Sequence, residues 1–263
     1  MTAARQNTLT EPARELPVFG EYDVVVVGGG PAGIAAAVSA ARHGANTLLI
    51  ERYGFLGGMG TAGGVTNFAG LYGKRDGEMT LLVRGVTDDL LARIEALGGL
   101  NKPQDGMQGR IRVRSYDTSA YKIAADQLLL DAGVHLLFHA WAANVIRDGE
   151  RIAALVVETK SGRQAIRANA FVDASGDADV AAFAGVPFEV GDGHGSGLFP
   201  TTMFRVGQVD AQPALAAVGE FKAINDLMER VQAQKPGAYK FPREGAILQI
   251  GRASCRERVL LRV

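Results

Sequence analysis

The sequence predicts an α/β fold whose centre is a doubly wound parallel sheet. Short, continuously apolar segments rich in β-branched residues are typical of strands buried on both faces. Alanine-rich segments between them predict helices, and many of the 34 glycines follow the predicted strands directly. Because glycine is costly inside helices and strands, such clusters indicate tight turns or a ligand close to the backbone.

Composition narrows the functional classes. The 28 basic residues equal the 28 acidic ones, so net charge recruits neither nucleic acid nor an anionic membrane surface. No apolar run approaches the roughly 20 residues that span a bilayer, and the N-terminus lacks the apolar core of a signal peptide. We therefore expect a cytoplasmic protein with a flexible segment over residues 1–20.

Cysteine usage limits the redox chemistry. The one cysteine, Cys255, excludes an internal disulfide, a CxxC redox pair and a cysteine-ligated cluster within this chain. Redox chemistry would therefore need a bound cofactor, and no metal site is expected.

The first strand, helix and strand follow one another within 30 residues of sequence. A buried strand is predicted over residues 22–27, and its last four residues begin the run VVVVGGGPAG. The following run, IAAAVSAAR, predicts a helix that ends near Arg42, with Gly44 as its stop. A second strand is predicted from Thr47 to Ile50.

The glycines of this unit have the spacing of a dinucleotide-binding fingerprint. Gly28 permits a tight turn, Gly30 lets a pyrophosphate approach the helix N-terminus, and Gly33 lets helix and strand pack closely. Glu51, at the end of the second strand, would accept hydrogen bonds from the adenosine ribose. A glycine-rich turn made only for tight packing is the alternative, but the complete context favours a dinucleotide.

A second glycine-rich loop follows Glu51. It carries glycine at positions 57, 58, 60, 63 and 64. Successive bare amides can donate to phosphate and to the ribityl and ring oxygens of a flavin, whereas a nicotinamide-binding domain has no obvious use for such a loop here. A flexible surface loop is the alternative.

Residues 73–114 are predicted to be an insertion of helix and loop. Val86, Leu90, Ile94 and Leu97 have the spacing of one helix face. The stretch 101–114 reads as an exposed loop. If it is extended, its three alternating arginines share a face, as an anionic substrate patch or, more simply, as a solvated edge strand.

The chain then returns to the sheet. Asp117 and Thr118 can cap a helix with an apolar stripe, and 134–138 is the next parallel strand. An apolar hairpin over 152–167 predicts a small antiparallel layer that covers the sheet. A further buried strand, 170–173, runs into the segment ASGDAD and an alanine-rich helix. That segment is either a ligand-contacting helix start or a well-capped helix without a ligand.

Four motifs together resemble a known family. VVVVGGGPAG, ER, GFLGGMGTAGG and VDASGDADVA are similar to the FAD-dependent oxidoreductases of the glutathione-reductase-like type, with two dinucleotide-binding domains. The strongest resemblance is to the broad FAD-dependent oxidoreductase family, which includes flavoproteins of the heterodisulfide reductase type. It covers about residues 15–206. The resemblance implies a Rossmann-like, FAD-binding sheet over 21–190 and non-covalent FAD. The iron-sulfur clusters of some relatives are not implied, since their cysteine ligands are missing here.

The resemblance also implies which residues meet FAD. The pyrophosphate would be met by Gly28, Gly30, Pro31, Ala32 and Gly33, and the adenosine end by Glu51 and Arg52. The loop beside the pyrophosphate and flavin contains Gly57, Gly58, Met59, Gly60 and Thr61, and Val145 would supply a backbone contact to adenine. The second flavin-contacting motif contains Ala174, Ser175, Gly176 and Asp177. The carboxylates of Asp177 and Asp179 could instead cap the helix that follows.

The C-terminal part is predicted to be different in kind. Residues 191–249 are predicted to be part of a substrate domain, with a strand over 201–206. His194, in the glycine-rich loop before that strand, is a candidate base, and Arg205 on the strand is a candidate anion anchor; a structural role is the alternative for both. Residues 250–263 are expected to be an artefactual tail, because the run IGRASCRERV resembles a translated sequencing adapter. The chain would then be a truncated fragment, and no catalytic residue can be named.

The expected function is that of an FAD-dependent oxidoreductase. It would transfer a hydride or electrons between non-covalently bound FAD and a small organic substrate. An NAD-binding dehydrogenase or reductase and an inactive nucleotide-binding fragment are the alternatives. An electron-transfer partner or a second copy of the chain stays open.

Overall fold

A six-stranded sheet organises the chain, of which the computed structural model describes residues 9, 11–106, 109–192, 197, 203–206, 210, 213, 216, 222–234, 247–251 and 258–262. The elements in chain order are β1 (Val18–Val27), α1 (Pro31–Arg42), β2 (Thr47–Glu51), a 3-10 helix (Gly58–Gly60), β3 (Asn67–Phe68), β4 (Tyr72–Arg75), β5 (Glu78–Leu81), α2 (Val86–Ala96), β6 (Gln104–Gly106), β7 (Ile111–Ser115), α3 (Thr118–Asp131), β8 (His135–Phe138), β9 (Trp141–Asp148), β10 (Arg151–Thr159), β11 (Gly162–Asp173), α4 (Asp179–Phe183), β12 (Met203–Val206), α5 (Lys222–Gln234), β13 (Ile247–Gly251) and β14 (Arg258–Arg262).

The sheet combines a parallel and an antiparallel half. Its strand order is β8-β2-β1-β11-β10-β9. The first four strands are parallel to one another, and β10 and β9 continue antiparallel. The predicted α/β class with a parallel central sheet is confirmed. β1 begins at Val18, inside the segment predicted to be flexible, because Val18 pairs with Ala165 of β11.

Helices cover one face of this sheet. Val26 of β1 and Leu49 of β2 pack in one buried cluster with Ile34 of α1 and Leu128 of α3. The apolar stripe predicted for α3 is buried along its whole length, which confirms that stripe. Asp117 caps α3 as expected, since its carboxylate accepts hydrogen bonds from two backbone N–H groups of the first turn.

A second buried cluster lies on the other face of the sheet. Buried side chains of β9 and β10 pack there against β1 and β2, together with Val180 of the short helix α4. The hairpin predicted over 152–167 is confirmed, since β10 pairs antiparallel with β11, and these strands form the antiparallel part of the same sheet. The stretches 163–167 and 170–173 are one continuous strand, β11, because no glycine or proline interrupts residues 163–173.

The insertion contains more β-structure than predicted. Leu90 and Ile94 of α2 are buried, but Leu97 lies beyond the helix end and is half-exposed. The stretch expected to be a loop or an edge strand contains β7, which lies between β3 and β6 in a three-stranded sheet. That expectation was wrong because turn-forming residues separate two strands, β6 and β7, that pair with each other.

The arginines of β7 are already paired. The Arg112 guanidinium lies 2.6 Å from a carboxylate oxygen of Asp105 on β6. Arg114 donates to the carbonyl of Asn101 at 3.0 Å and lies 3.6 Å from the Glu95 carboxylate. An anionic substrate patch on this strand is therefore not supported.

A separate three-stranded sheet, in the order β12-β14-β13, lies in the C-terminal part. Its first strand, β12, confirms the strand expected over 201–206. Within the described ranges, no helix combines the length and the apolar character needed to cross a bilayer. The domain boundaries stay predictions.

Candidate functional site

The turn after β1 packs tightly against its neighbours. Gly28 has φ +102°, and a Cβ there would lie 2.3 Å from the carbonyl oxygen of Ala174. A Cβ on Gly33 would lie 1.8 Å from the carbonyl oxygen of Gly28. These two glycines therefore have the packing reasons that the fingerprint predicts, a tight turn and a close helix-strand contact.

Gly30 is different, because a Cβ there would make only an ordinary van der Waals contact. The nearest atom to a Cβ built on Gly30 is the Cα of Gly58, at 3.9 Å. Gly30 immediately precedes α1, whose first residue is Pro31. The N–H groups of Ala32 and Gly33 lie in the first turn, where helical N–H groups have no partner within the helix. The space in front of Gly30 is therefore shaped for a group that accepts hydrogen bonds at a helix N-terminus.

The second glycine loop forms the opposite wall of that space. The N–H of Gly57 donates to the carbonyl of Gly29 at 2.8 Å. A Cβ on Gly58 would lie 2.9 Å from the Cα of Gly30, and both Gly57 and Gly58 have positive φ. We call the space between residues 28–33 and 57–61 the glycine cradle.

The loop is not a flexible surface segment. Gly60 and Thr61 are buried, and the Thr61 hydroxyl donates to the Leu56 carbonyl at 2.6 Å. Met59 is the exception, with 67% of its surface exposed. Gly64 at the far end of the loop faces β12, because a Cβ on Gly64 would lie 3.4 Å from the Cβ of Met203.

Two buried tyrosines lie beneath this loop, and sequence reasoning assigned them only to a helix stripe or not at all. The Tyr116 hydroxyl lies 3.0 Å from the carbonyl oxygen of Gly60 and 2.7 Å from that of Val65. Its ring contacts the ring of Tyr121 edge-on at 5.1 Å. Burial raises the pKa of both hydroxyls above their usual range, so they stay protonated.

Glu51 connects the cradle to the end of β2. Its buried carboxylate accepts the N–H of Gly29 at 2.7 Å and the N–H of Tyr53 at 2.9 Å. An ionised carboxylate oxygen can accept two hydrogen bonds, so each oxygen keeps one acceptor position. Glu51 therefore lies where the fingerprint expects the ribose partner.

Arg52 belongs to an aromatic cluster beside Glu51. Its guanidinium carbon lies 5.1 Å from the centre of the Tyr53 ring and 5.5 Å from the centre of the Trp141 ring. Trp141 is 55% exposed at the start of β9. The backbone N–H of Ala140 donates to the Glu51 carbonyl at 3.1 Å, so the segment after β8 meets the Glu51 turn here.

Val145 lies apart from these residues, and the adenine contact expected there stays a prediction. It pairs with Leu155 in the middle of β9, and its side chain is buried in the cluster on the second face of the sheet. Four residues of extended strand place it about 13 Å beyond Trp141. Directly after β8, the backbone N–H of His139 donates to the Tyr53 carbonyl at 3.3 Å, so this segment, and not Val145, lies beside the Glu51 turn.

The segment after β11 caps α4 in an unexpected way. The Ser175 hydroxyl donates to Asp173 at 2.6 Å and accepts the N–H of Asp179 at 2.9 Å. The second Asp173 oxygen accepts the N–H of Ala181 at 2.9 Å. The suggestion that the carboxylates of Asp177 and Asp179 cap this helix is therefore wrong, because Asp173 and Ser175 occupy that role.

Asp173 is ionised in this arrangement. Partial burial opposes its charge, but the hydrogen bonds from Ser175 and from the backbone of Ala181 outweigh that effect and lower the pKa of Asp173. Ala174 lies against Gly28, while Gly176, with φ +93°, and Asp177 are exposed beside it. The second motif thus borders the first glycine turn.

The two weak candidates of the C-terminal part stay predictions. His194 lies outside the described residues, and Arg205 is described only as backbone in β12. Among the residues that the structure describes, no group of three or more histidine, cysteine, aspartate or glutamate side chains could hold a metal.

Comparison with known proteins adds a family match. The family described as "FAD dependent oxidoreductase" matches residues 23–260. Thiamine thiazole synthase from Sulfolobus acidocaldarius is 33% identical over 177 residues, which is 63% of this chain and 60% of that protein. Dihydrolipoyl dehydrogenase from Trypanosoma brucei brucei is 56% identical over 45 residues, 17% of this chain and 9% of that protein.

Two solved structures share the fold. BexE, studied for oxidation during BE-7585A biosynthesis, matches with a TM-score of 0.54 at 16% identity. The match covers 91% of this chain and 43% of the BexE chain. CabE, an aromatic hydroxylase from angucycline biosynthesis, has a TM-score of 0.53 at 16% identity with the same two coverages, 91% and 43%. The chain thus spans about 60% of the thiazole synthase and less than half of each solved structure.

Proposed function

Because the chain belongs to the FAD dependent oxidoreductase family, whose cofactor is FAD, we propose that the glycine cradle holds FAD and that the protein transfers a hydride or electrons between FAD and a small organic substrate. Bound FAD supplies the redox chemistry. The residues of the chain bind it, orient it and set the polarity around it.

The space in front of Gly30 is the observation that carries this proposal. Apart from its chain neighbours, a Cβ on Gly30 would come within 4 Å of one atom, the Cα of Gly58 at 3.9 Å. A pyrophosphate in that space would receive hydrogen bonds from the first turn of α1 and would be stabilised by the helix dipole. Pro31 and Ala32 complete the turn on one side, and Gly57 and Gly58 lie on the other.

The adenosine half fits the neighbouring residues. The acceptor position left on each Glu51 oxygen suits the two ribose hydroxyls. The half-exposed Trp141, with Arg52 above it, offers a flat aromatic surface for adenine in place of Val145. The flavin half would then extend along Met59, Gly60 and Thr61, with the second motif, residues 174–177, on its other side.

The visible absorption spectrum of the purified chain tests the proposal. We expect a flavin-shaped band, either as purified or after addition of FAD, and its release into the supernatant on acid precipitation. A chain that takes up NAD but no FAD would support the NAD-binding dehydrogenase alternative. A chain that binds FAD but is not reduced by any organic donor tested would support the nucleotide-binding fragment.

Replacing Trp141 tests the adenosine half separately. We expect Trp141→Ala to weaken FAD binding about tenfold, because stacking of a base on an aromatic side chain contributes roughly 1–3 kcal/mol. FMN lacks the adenosine, so its affinity should not change. Fluorescence titration with both flavins measures the difference. Ile146→Ala, at another half-exposed position of β9, is the matched control, and equal losses for FAD and FMN would contradict this placement.

A further inference from the structure

We propose that Tyr116 is a positioning residue, whose hydroxyl sets the shape of the second glycine loop and thereby the environment of the flavin. The inference rests on the proposed FAD site, since it concerns the loop expected to lie along the flavin. It assigns a role to a residue that lies in none of the four sequence motifs.

The Tyr116 hydroxyl reaches both ends of one stretch of the loop. The carbonyl oxygens of Gly60 and Val65 lie 3.0 Å and 2.7 Å from it. A hydroxyl has one proton, so the two carbonyls share one donor, and the shorter distance favours Val65. The residues between them contain two glycines and depend on such an anchor, because glycine loses much conformational freedom when it is fixed.

Tyr116 is itself held firmly. Its backbone N–H donates to the Thr66 carbonyl at 3.0 Å, just beyond the end of the loop. The Tyr116 ring is 4% exposed and packs against Phe68, with ring centres 4.4 Å apart, as well as against Tyr121. A Cβ on Gly60 would lie 2.6 Å from the Tyr116 hydroxyl oxygen, so the loop and the tyrosine are in direct contact.

The anchor acts on the atoms that face the cradle. The N–H of Val65 donates to the carbonyl of Met59 at 3.1 Å, and the N–H of Gly63 donates to that of Gly58 at 3.2 Å. Holding Gly60 and Val65 in place therefore holds the carbonyl groups of Gly58 and Met59, and Gly58 borders Gly30. A loop ordered before binding loses less entropy when FAD binds, and it presents the same donors to the flavin in every molecule.

The neighbouring Tyr121 provides a matched control. It lies in the same aromatic cluster and is fully buried, yet its hydroxyl has no hydrogen-bond partner within the described residues. Tyr116→Phe and Tyr121→Phe each remove one buried hydroxyl and keep the ring. Only the first removes a hydrogen bond to the loop.

The experiment compares both variants with the wild-type protein in three measurements: FAD affinity, the midpoint potential of bound FAD, and hydrogen-deuterium exchange of residues 58–65 without FAD. We expect Tyr116→Phe to bind FAD about tenfold more weakly, to shift the potential and to speed exchange in the loop. Tyr121→Phe should match the wild type in all three.

Each other outcome has a defined meaning. If Tyr116→Phe only lowers the melting temperature, with affinity, potential and loop exchange unchanged, Tyr116 is structural and the inference is overturned. If Tyr121→Phe has the same effects as Tyr116→Phe, the loop hydrogen bond is not their cause, which also overturns it. If the wild type binds no FAD, the proposed function fails, while loop exchange still decides whether Tyr116 anchors the loop.

Discussion

Gly30→Val is expected to reduce FAD affinity by roughly 100-fold while the protein stays folded. The valine Cβ would meet no atom closer than the Gly58 Cα at 3.9 Å, and the backbone φ of Gly30, −72°, suits any residue. The side chain would instead enter the space proposed for the pyrophosphate. Forcing a ligand past such a group costs about 3 kcal/mol, which corresponds to the stated loss.

Titration with FAD, followed by absorbance, measures this effect, and the melting temperature checks the fold. Gly70→Val is the matched control, because a Cβ on Gly70 would meet no atom within 4 Å and Gly70 lies outside the cradle. Gly70→Val should bind FAD as the wild type does. Wild-type affinity in Gly30→Val would show that the pyrophosphate does not lie at the start of α1.

Gly33→Ala is expected to reduce the stability of the fold, whereas Gly30→Val is expected to reduce FAD affinity. Its Cβ would lie 1.8 Å from the carbonyl oxygen of Gly28 and 3.0 Å from the carbonyl carbon, so helix α1 or the turn must move. Because both contacts are with backbone, no side-chain rotation relieves them. We expect the free energy of unfolding to fall by about 3 kcal/mol, a large share of the roughly 5–15 kcal/mol of a typical domain.

Urea unfolding compares Gly33→Ala with Gly30→Ala, the same substitution three residues away, where a Cβ would make only an ordinary contact. Because alanine is a poorer N-cap than glycine, the second variant should lose about 1 kcal/mol at most. If Gly33→Ala unfolds at the wild-type urea concentration, the close contact between α1 and the turn is wrong. The two glycines of one motif thus separate ligand binding from folding.

Local pattern was sufficient where the interacting residues are close in the chain. The strand, helix and strand over residues 18–51 were predicted with small errors at the ends, because burial on both sheet faces requires continuously apolar strands. The cap at Asp117 and the buried stripe of α3 were also predicted correctly, because each depends on residues within one or two helix turns. Hydrophobic period and capping chemistry act within a few residues.

Local pattern failed where a pairing partner lies elsewhere in the chain. β7 was expected to be exposed, because nothing within its five residues shows that β3 and β6 flank it. The end of β8 at residue 138 was predicted correctly, but local pattern did not show that Ala140 meets Glu51 while Val145 lies further along β9.

The chemistry of the site follows the same division. Glycine spacing and the acid at Glu51 were enough to predict a dinucleotide, since each residue type answers a need of its own backbone position. That the two glycine loops face each other across Gly30 and Gly58, and that Tyr116 contacts Gly60 from 56 residues away, required the packed fold. Such contacts depend on how sheet, helices and insertion come together, and no local pattern encodes that arrangement.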